Sequence, residues 1–397
     1  MRQLNILQVT NRIPYPLNDG GNLATYNVTK YLNRFGHKVT MAAINTRKHF
    51  QDPAVMVSVA DIHAAYVPAD ISASGLLLSL GRKMPYNVER FISEDFRNLL
   101  MQLLSSNTYD VIQVEGIYLV IYIDVFRKYS SAPVVLRSHN IEYQIWERLA
   151  QKEKNLIKKT YLKILSKKIR RFEMENFSRF DGIVAITDQD ALFYRENGYA
   201  KPLKVINAGV DLEMIKPSEA DPEPCTVCFL GSLEWQPNAQ GLEWFIEKVW
   251  PLLSRTNKNI TFHIAGKNAS QKFKELAIEG ITFHGMVDDA YAFLQKYQVV
   301  IVPLFSGGGM RLKIVESMAL GKCIVSTLIG AEGIDYEDGK HLLIADDAKT
   351  FARHILCLIE QDELRKSVSG NASQLAREKY DWQLLVREFE NFYFQLI

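Results

Sequence analysis

The sequence predicts an α/β protein: two doubly wound, Rossmann-like domains facing across a cleft. Three observations predict it. Short apolar runs alternate with segments of helical spacing along nearly the whole chain, the pattern of parallel sheets covered on both faces. The alternation breaks at the proline- and acid-rich stretch "LEMIKPSEADPEP" and then restarts, which reads as a linker. A chain of 397 residues, 47% hydrophobic and 23% charged, is too long for one ordinary core and suits about two. The predicted domains are residues 1–214 and 215–379, with an aromatic-rich last helix, 380–397, crossing back onto the first.

In chain order, "LNILQV" is a strand ending in a Pro/Gly/Asn-rich loop, Asn22 to Phe35 has helical spacing with Gly36 as its stop, and "HKVTMAAI" is a strand again. This is a β-α-β unit. "YDVIQV", "APVVLRS", "DGIVAIT" and "KVIN" continue the first sheet; beyond the linker, "TVCFLG", "ITFHIAG", "ITFHG", "VVIVPL", "CIVST" and "HLLIA" supply the second. The final helix, "YDWQLLVREFENFYFQLI", carries more aromatics than one turn of its own can cover. Sheets of this kind bind ligands beyond the C-terminal ends of their strands.

Composition excludes several classes. A formal charge of +2 gives no global case for nucleic acid as a partner. The N-terminus lacks the apolar core and cleavage site of a signal peptide, and "GLLLSLG" is too short to span a bilayer. A cytoplasmic protein is expected, at most peripheral at the inner face of a membrane. Cys225 and Cys228 form a C-x-x-C with no second pair and no His-x-x-x-His nearby, so the four cysteines read as reduced structural thiols.

Three loops at predicted strand ends carry chemistry. In "NRIPYPLNDGGN", Gly20 and Gly21 precede a helix, where free N–H groups meet anions; a plain strand-to-helix turn is the alternative. In "LRSHNIEYQIW", His139 follows an apolar strand, and its imidazole either donates to a sugar hydroxyl or phosphate or serves as a structural residue with a backbone partner. In "PLFSGGGMRLKIVESMALGK", Gly307, Gly308 and Gly309 form a turn before a helix stopped by Gly321. Arg311 offers a forked donor, Lys313 a mobile charge and the first turn its N–H groups, together a diphosphate cradle. No Gly-Lys-Ser/Thr follows, so this is not a P-loop. Lys313 and Glu316 lie three apart on one helix face, where the alternative reading is a surface ion pair worth less than about 0.5 kcal/mol.

The motif "P-L-x-x-G-G-G-x-R-x-K-x-x-E-x-M-A-x-G-K", with "GHKV", "RSHNIE" and "NAGVD" in the expected order, resembles the retaining nucleotide-sugar glycosyltransferases of the two-domain GT-B fold, family GT4 (glycosyl transferases group 1). The resemblance implies a donor nucleotide against the C-terminal domain, with Glu316 on the ribose hydroxyls. It implies a donor-binding set of Gly20, Gly21, Gly231, Gly307, Gly308, Gly309, Arg311, Lys313 and Glu316, and a catalytic role for His139, Arg311 and Lys313. Two departures stand out. The family commonly shows a sugar-facing glutamate eight residues before the ribose glutamate, where this chain has Gly308. Many relatives also carry an Arg and a Lys after the first strand of the C-terminal domain, whereas "FLGSLEWQPNAQGLEWF" has no cation; Arg311 and Lys313 are the expected replacement.

The expected reaction moves a sugar from a nucleoside-diphosphate-sugar to a glycan or lipid-linked acceptor in cell-surface polysaccharide or glycoconjugate synthesis. It needs no metal or other cofactor, because cations prepositioned on the leaving diphosphate stabilise the charge that develops there. Alternatives are a sugar-nucleotide epimerase of the same fold and a non-catalytic sugar-nucleotide-binding protein. Residues 151–175 hold nine Lys/Arg against three Glu, with Leu156, Tyr161, Ile164, Leu165, Ile169 and Phe172 at helical spacing. They read either as a helix lying on an anionic membrane or as an ordinary packed helix with a solvated face.

Overall fold

Seven parallel strands form one sheet in the computed structural model, which describes residues 2–17, 19–79, 81–218, 220–307 and 309–397. They are β1 (Asn5–Thr10), β2 (Lys38–Asn45), β3 (Asp61–Tyr66), β4 (Val111–Glu115), β5 (Val134–Ser138), β6 (Gly182–Ala185) and β7 (Leu203–Val205), ordered β3-β2-β1-β4-β5-β6-β7. The inner strands β4, β5 and β6 are buried along their whole length, which is why they read as mostly apolar runs. The sequence reading does not include β3. Its "DIHAAY" is a half-buried edge strand with polar ends, without the apolar run that announces its neighbours.

The second sheet contains β8 (Glu223–Leu230), β9 (Thr261–Ala265), β10 (Ile281–Gly285), β11 (Tyr297–Val302), β12 (Cys323–Ser326) and β13 (Leu343–Ile344), ordered β10-β9-β8-β11-β12-β13. Apolar clusters cover both faces, one around Phe245, Phe262 and Phe351, the other around Ile314, Met318 and Tyr380. All four cysteines are free.

The chain divides into a unit of Met1–Asn207 with Trp382–Ile397 and a unit of Ala208–Asp381. The division falls before "AGVD" rather than at 214/215, because Val210 and Ile215 bury in the second unit's core and the Val210 N–H donates to the Tyr380 carbonyl at 2.7 Å. The helix Trp382–Leu396 packs Trp382, Val386, Phe389 and Tyr393 with Leu4, Ile6, Val111 and Val184 of the first unit. His37 and Glu390, both buried, are 3.1 Å apart there.

Both sheets share one topology, in which strand order reverses next to the unit's first strand: between β1 and β4, and between β8 and β11. Loops that leave such a switch point diverge and open a crevice. Gly20 and Gly21 follow β1, and Gly307 and Gly309 follow β11, in these loops; His139 follows β5, the strand next to β4.

Candidate functional sites at the two switch points

In the first unit, a cavity of ≈ 320 Å³ is lined by Arg12, Gly21, Asn22, Glu115, His139 and Glu142 among others. Gly21 and His139 therefore meet in one cavity. Gly20 is the first residue of the helix Gly20–Arg34, whose N-cap, Asp19, accepts the Asn22 N–H and pairs with Arg12 at 2.9 Å. A Cβ at Gly21 would meet nothing nearer than 3.4 Å, so the chain's own packing does not demand glycine there.

Glu115 is the centre of this site. It is buried at the end of β4, opposite Arg137 in the β4–β5 register. Its Oε1 accepts from the side-chain amides of Gln8, at 2.8 Å, and Gln113. Its Oε2 accepts from Arg137 Nη1 at 3.4 Å and Thr25 Oγ1 at 3.4 Å, and His139 Nε2 lies 2.6 Å away. Burial pushes the carboxyl up, but Arg137 and His139 outweigh it and hold Glu115 down at about 2. An ionised Glu115 fixes the proton of His139 on Nε2 and the ring's orientation with it. Arg137 is backed by the Phe389 and Trp382 rings, 5.4 and 6.0 Å from its guanidinium. Glu142, raised by burial, accepts from the Tyr118 hydroxyl at 2.8 Å, while the N–H groups of Glu142 and Tyr143 donate to Glu173 on a neighbouring helix.

In the second unit the motif residues gather around the ends of β8 and β11. The helix Leu312–Ala319 sends Lys313 back across the sheet, where Nζ donates to Asn238 Oδ1 at 2.8 Å and to the Leu230 carbonyl at 3.3 Å and lies 4.8 Å from the Phe229 ring centre. The loop after β8 has no cation of its own; the structure delivers one from 83 residues away. Gly231 is what allows it, since a Cβ there would stand 2.7 Å from Asn238 Nδ2 and 3.2 Å from Lys313 Nζ. Burial, reinforced by Arg311, pushes Lys313 down to about 7, with Glu316 opposing.

Arg311 is buried with its guanidinium 5.1 Å from the Trp235 ring centre. Gly307, at φ +112°, closes over this pair: a Cβ would lie 2.6 Å from Arg311 Nη2 and 2.9 Å from the indole. Gly309 also has positive φ, +74°; Gly308 lies outside the described residues. Glu316 is raised by burial and accepts from the Tyr291 hydroxyl at 3.1 Å. Lys313 and Glu316 thus engage different buried partners instead of forming the surface pair that spacing alone allows.

In the basic segment the apolar side chains divide between packing and solvent. The segment spans the end of one helix and the helix Leu156–Asn176, in which Leu165, Ile169 and Phe172 are buried in the unit. Its exposed apolar side chains are instead Leu156 (78%), Ile157 (84%) and, more weakly, Ile164. Among the described residues no helix is long and apolar enough to cross a membrane.

Sequence reasoning missed Glu115, Arg137, Trp235, Asn238 and Tyr291. A signal existed for the first two: Gln8, Gln113, Glu115 and Arg137 interrupt otherwise apolar strands and are all buried, and buried polar groups in a sheet interior imply a satisfied network.

Residues 18–214 match the Glycosyltransferase Family 4 profile, and residues 224–361 match Glycosyl transferases group 1. The chain belongs to this family of glycosyltransferases. An uncharacterized 44.6 kDa protein in the cps region of Klebsiella pneumoniae is 27% identical over 393 residues, covering 95% of this chain and 96% of the other. The phosphatidyl-myo-inositol mannosyltransferase of Mycolicibacterium smegmatis is 27% identical over 42% of this chain and 44% of its own. In fold, the chain is similar to sucrose-phosphate synthase from Thermosynechococcus elongatus (TM-score 0.71, 14% identity, 99% of both chains). It is also similar to Anabaena HepE in complex with UDP and glucose (TM-score 0.67, 16% identity, 98% of this chain and 99% of the other). The fold is GT-B.

Proposed function

We propose that the chain transfers a sugar, with retention of anomeric configuration and without a metal, from a nucleoside-diphosphate-sugar held by the Ala208–Asp381 unit. The acceptor, a glycan or lipid-linked saccharide, is taken by the unit that carries His139. One observation carries this reading: Lys313 is brought to the cation-free loop after β8, beside Gly231, while Arg311 is set between Trp235 and Gly307. Two cations at a switch point suit a diphosphate, and they act more strongly on the charge of the leaving group than on the ground state. Glu316, held by Tyr291, takes the ribose hydroxyls, and His139, held by Glu115, assists the sugar or phosphate. The acceptor's proton passes to the leaving phosphate.

The complex of HepE with UDP supports a nucleotide-sugar donor, and the cps-region relative supports a place in surface polysaccharide synthesis. Contact with an anionic membrane, if made through the basic segment, falls to its tip at Leu156 and Ile157, flanked by lysines. A thermal-shift panel of nucleotide sugars tests the donor reading, since a ligand at 100 times its Kd stabilises by about 2.7 kcal/mol. A panel with no shift refutes it. Release of nucleotide only when a glycan acceptor is added distinguishes a transferase from a binding protein, and wild-type transfer by His139→Ala would remove that residue from the reaction.

A further inference from the structure

A second, larger cavity, ≈ 480 Å³, lies in the first unit away from both motif clusters. Its walls are the helix Leu156–Asn176, the start of the helix Glu94–Ser106, the segment around Met84 and the short turn Ile117–Tyr122. Lys168 explains why a hollow forms there: its Nζ donates to the carbonyls of Ser79, at 2.5 Å, and Arg82, at 2.8 Å, pinning that segment against the helix.

Chemically the cavity has two parts. Met84, Ile92, Ile121 and Phe172 supply an apolar lining, and Ile92 is still 46% exposed. Lys83, Arg97, Arg171 and Arg179 line it together with two carboxylates, Asp124 and Glu175. The pairs that form are Arg179 with Asp124 at 2.5 Å, Arg171 with Glu175 at 2.6 Å and Arg97 with Glu94, outside the lining, at 3.4 Å; all are partly or largely solvent-exposed, and such pairs are weak enough to be exchanged for a ligand. Guanidinium forks suit phosphate oxygens. A phosphate monoester carries about two negative charges at neutral pH, which matches the excess of cations over carboxylates in the wall.

We propose that this cavity binds an anionic amphiphile, a phosphate-bearing head joined to a hydrocarbon chain. The surface leading to it agrees. Along the helix, Ile164, Lys167 and Arg171 recur three or four residues apart on one side, and the helix begins with exposed Leu156 and Ile157. Lipid-bearing surfaces are met by this combination of lysine and aliphatic side chains. The turn Ile117–Tyr122 is a wall of both cavities: Ile117 and Tyr118 line the one with His139, and Val120, Ile121 and Tyr122 line this one. An amphiphile held here lies one short turn from His139. The proposal stands independently of the transfer reaction.

The test is titration calorimetry on the full chain with octyl phosphate below its micelle concentration, inorganic phosphate and octanol. Octyl phosphate is expected to bind saturably at one site, and each of the other two at least ten-fold more weakly. Arg171→Gln with Arg179→Gln, and separately Ile92→Glu, are expected to weaken octyl phosphate at least ten-fold; all three positions are partly exposed, and the thermal midpoint checks that each variant is folded. Inorganic phosphate binding as well as octyl phosphate would mean a plain anion site and overturn the proposal, as would octanol binding as well, or folded variants that bind like the wild type. Donor-induced thermal shifts of the same variants stay at the wild-type value, so failure here is separable from failure of the donor reading.

Discussion

Donor binding should draw a proton onto Lys313. Burial and the neighbouring Arg311 hold its ammonium at about 7 in the free protein, so at pH 8 about one molecule in eleven is charged, against about ten in eleven at pH 6. If the diphosphate binds the charged form, apparent affinity falls about ten-fold between these pH values, about 1.4 kcal/mol. The diphosphate of a nucleotide sugar is esterified at both ends and has no oxygen titrating in this window, so the slope belongs to the protein. Titration calorimetry at pH 8 in two buffers of different ionisation enthalpy should register about 0.9 proton taken up per donor bound. Lys313→Met should bind the donor weakly and without that uptake. The same substitution should stabilise the free protein at low pH. With a folded value below the unfolded one, the buried charge destabilises fully below pH 7, and the penalty fades as pH rises from 7 towards about 10.4, so the gain is bounded by about 5 kcal/mol at pH 6 and vanishes at high pH. Donor affinity that is flat from pH 6 to 8, with no proton uptake, refutes the assignment of Lys313 to the diphosphate.

Glu115→Gln leaves Arg137 buried without its carboxylate and should cost about 3–5 kcal/mol in denaturant unfolding; an unchanged midpoint would show that Arg137 is held by its aromatic neighbours alone. In the wild type, Glu115's contribution is present above its unfolded value and is lost as pH falls from about 4.3 towards about 2. Gly307→Ala puts a methyl 2.6 Å from Arg311 Nη2 on a backbone at φ +112° and should weaken donor binding at least ten-fold by calorimetry; wild-type affinity would separate Arg311 from the donor. Trp382→Ala removes a fully buried indole and should cost about 3–5 kcal/mol. Limited proteolysis should then cut residues 1–207 while 208–381 stays resistant, and uniform cleavage would contradict the division into two units.

Much of the fold is legible because inner parallel strands are apolar on both faces. The edge strand β3 is not, since half of it is solvated and its pattern is diluted. In the second unit the candidate site is partly local: Gly307, Arg311, Lys313 and Glu316 lie within ten residues, and their types already suggest an anion. Their partners Trp235, Asn238 and Tyr291 arrive from other strand ends, which spacing along the chain does not encode. In the first unit His139 is visible as a strand-end residue, but its holder Glu115 is separated by a whole helix and is set by strand register. For the basic segment, charge excess is a property of sequence, whereas the burial of Leu165, Ile169 and Phe172 depends on what packs against them.

The return of the chain to its first unit also orders its folding. Residues 208–381 are contiguous and can complete their core as soon as they are made. The sheet that carries His139 cannot, because Trp382, Phe389 and Tyr393 close one of its faces and back Arg137 behind Glu115. Its hydrophobic face waits for residues 382–397, so the unit begun first is completed only after 208–381 has been made, and damage at residues 382–397 falls on the histidine site.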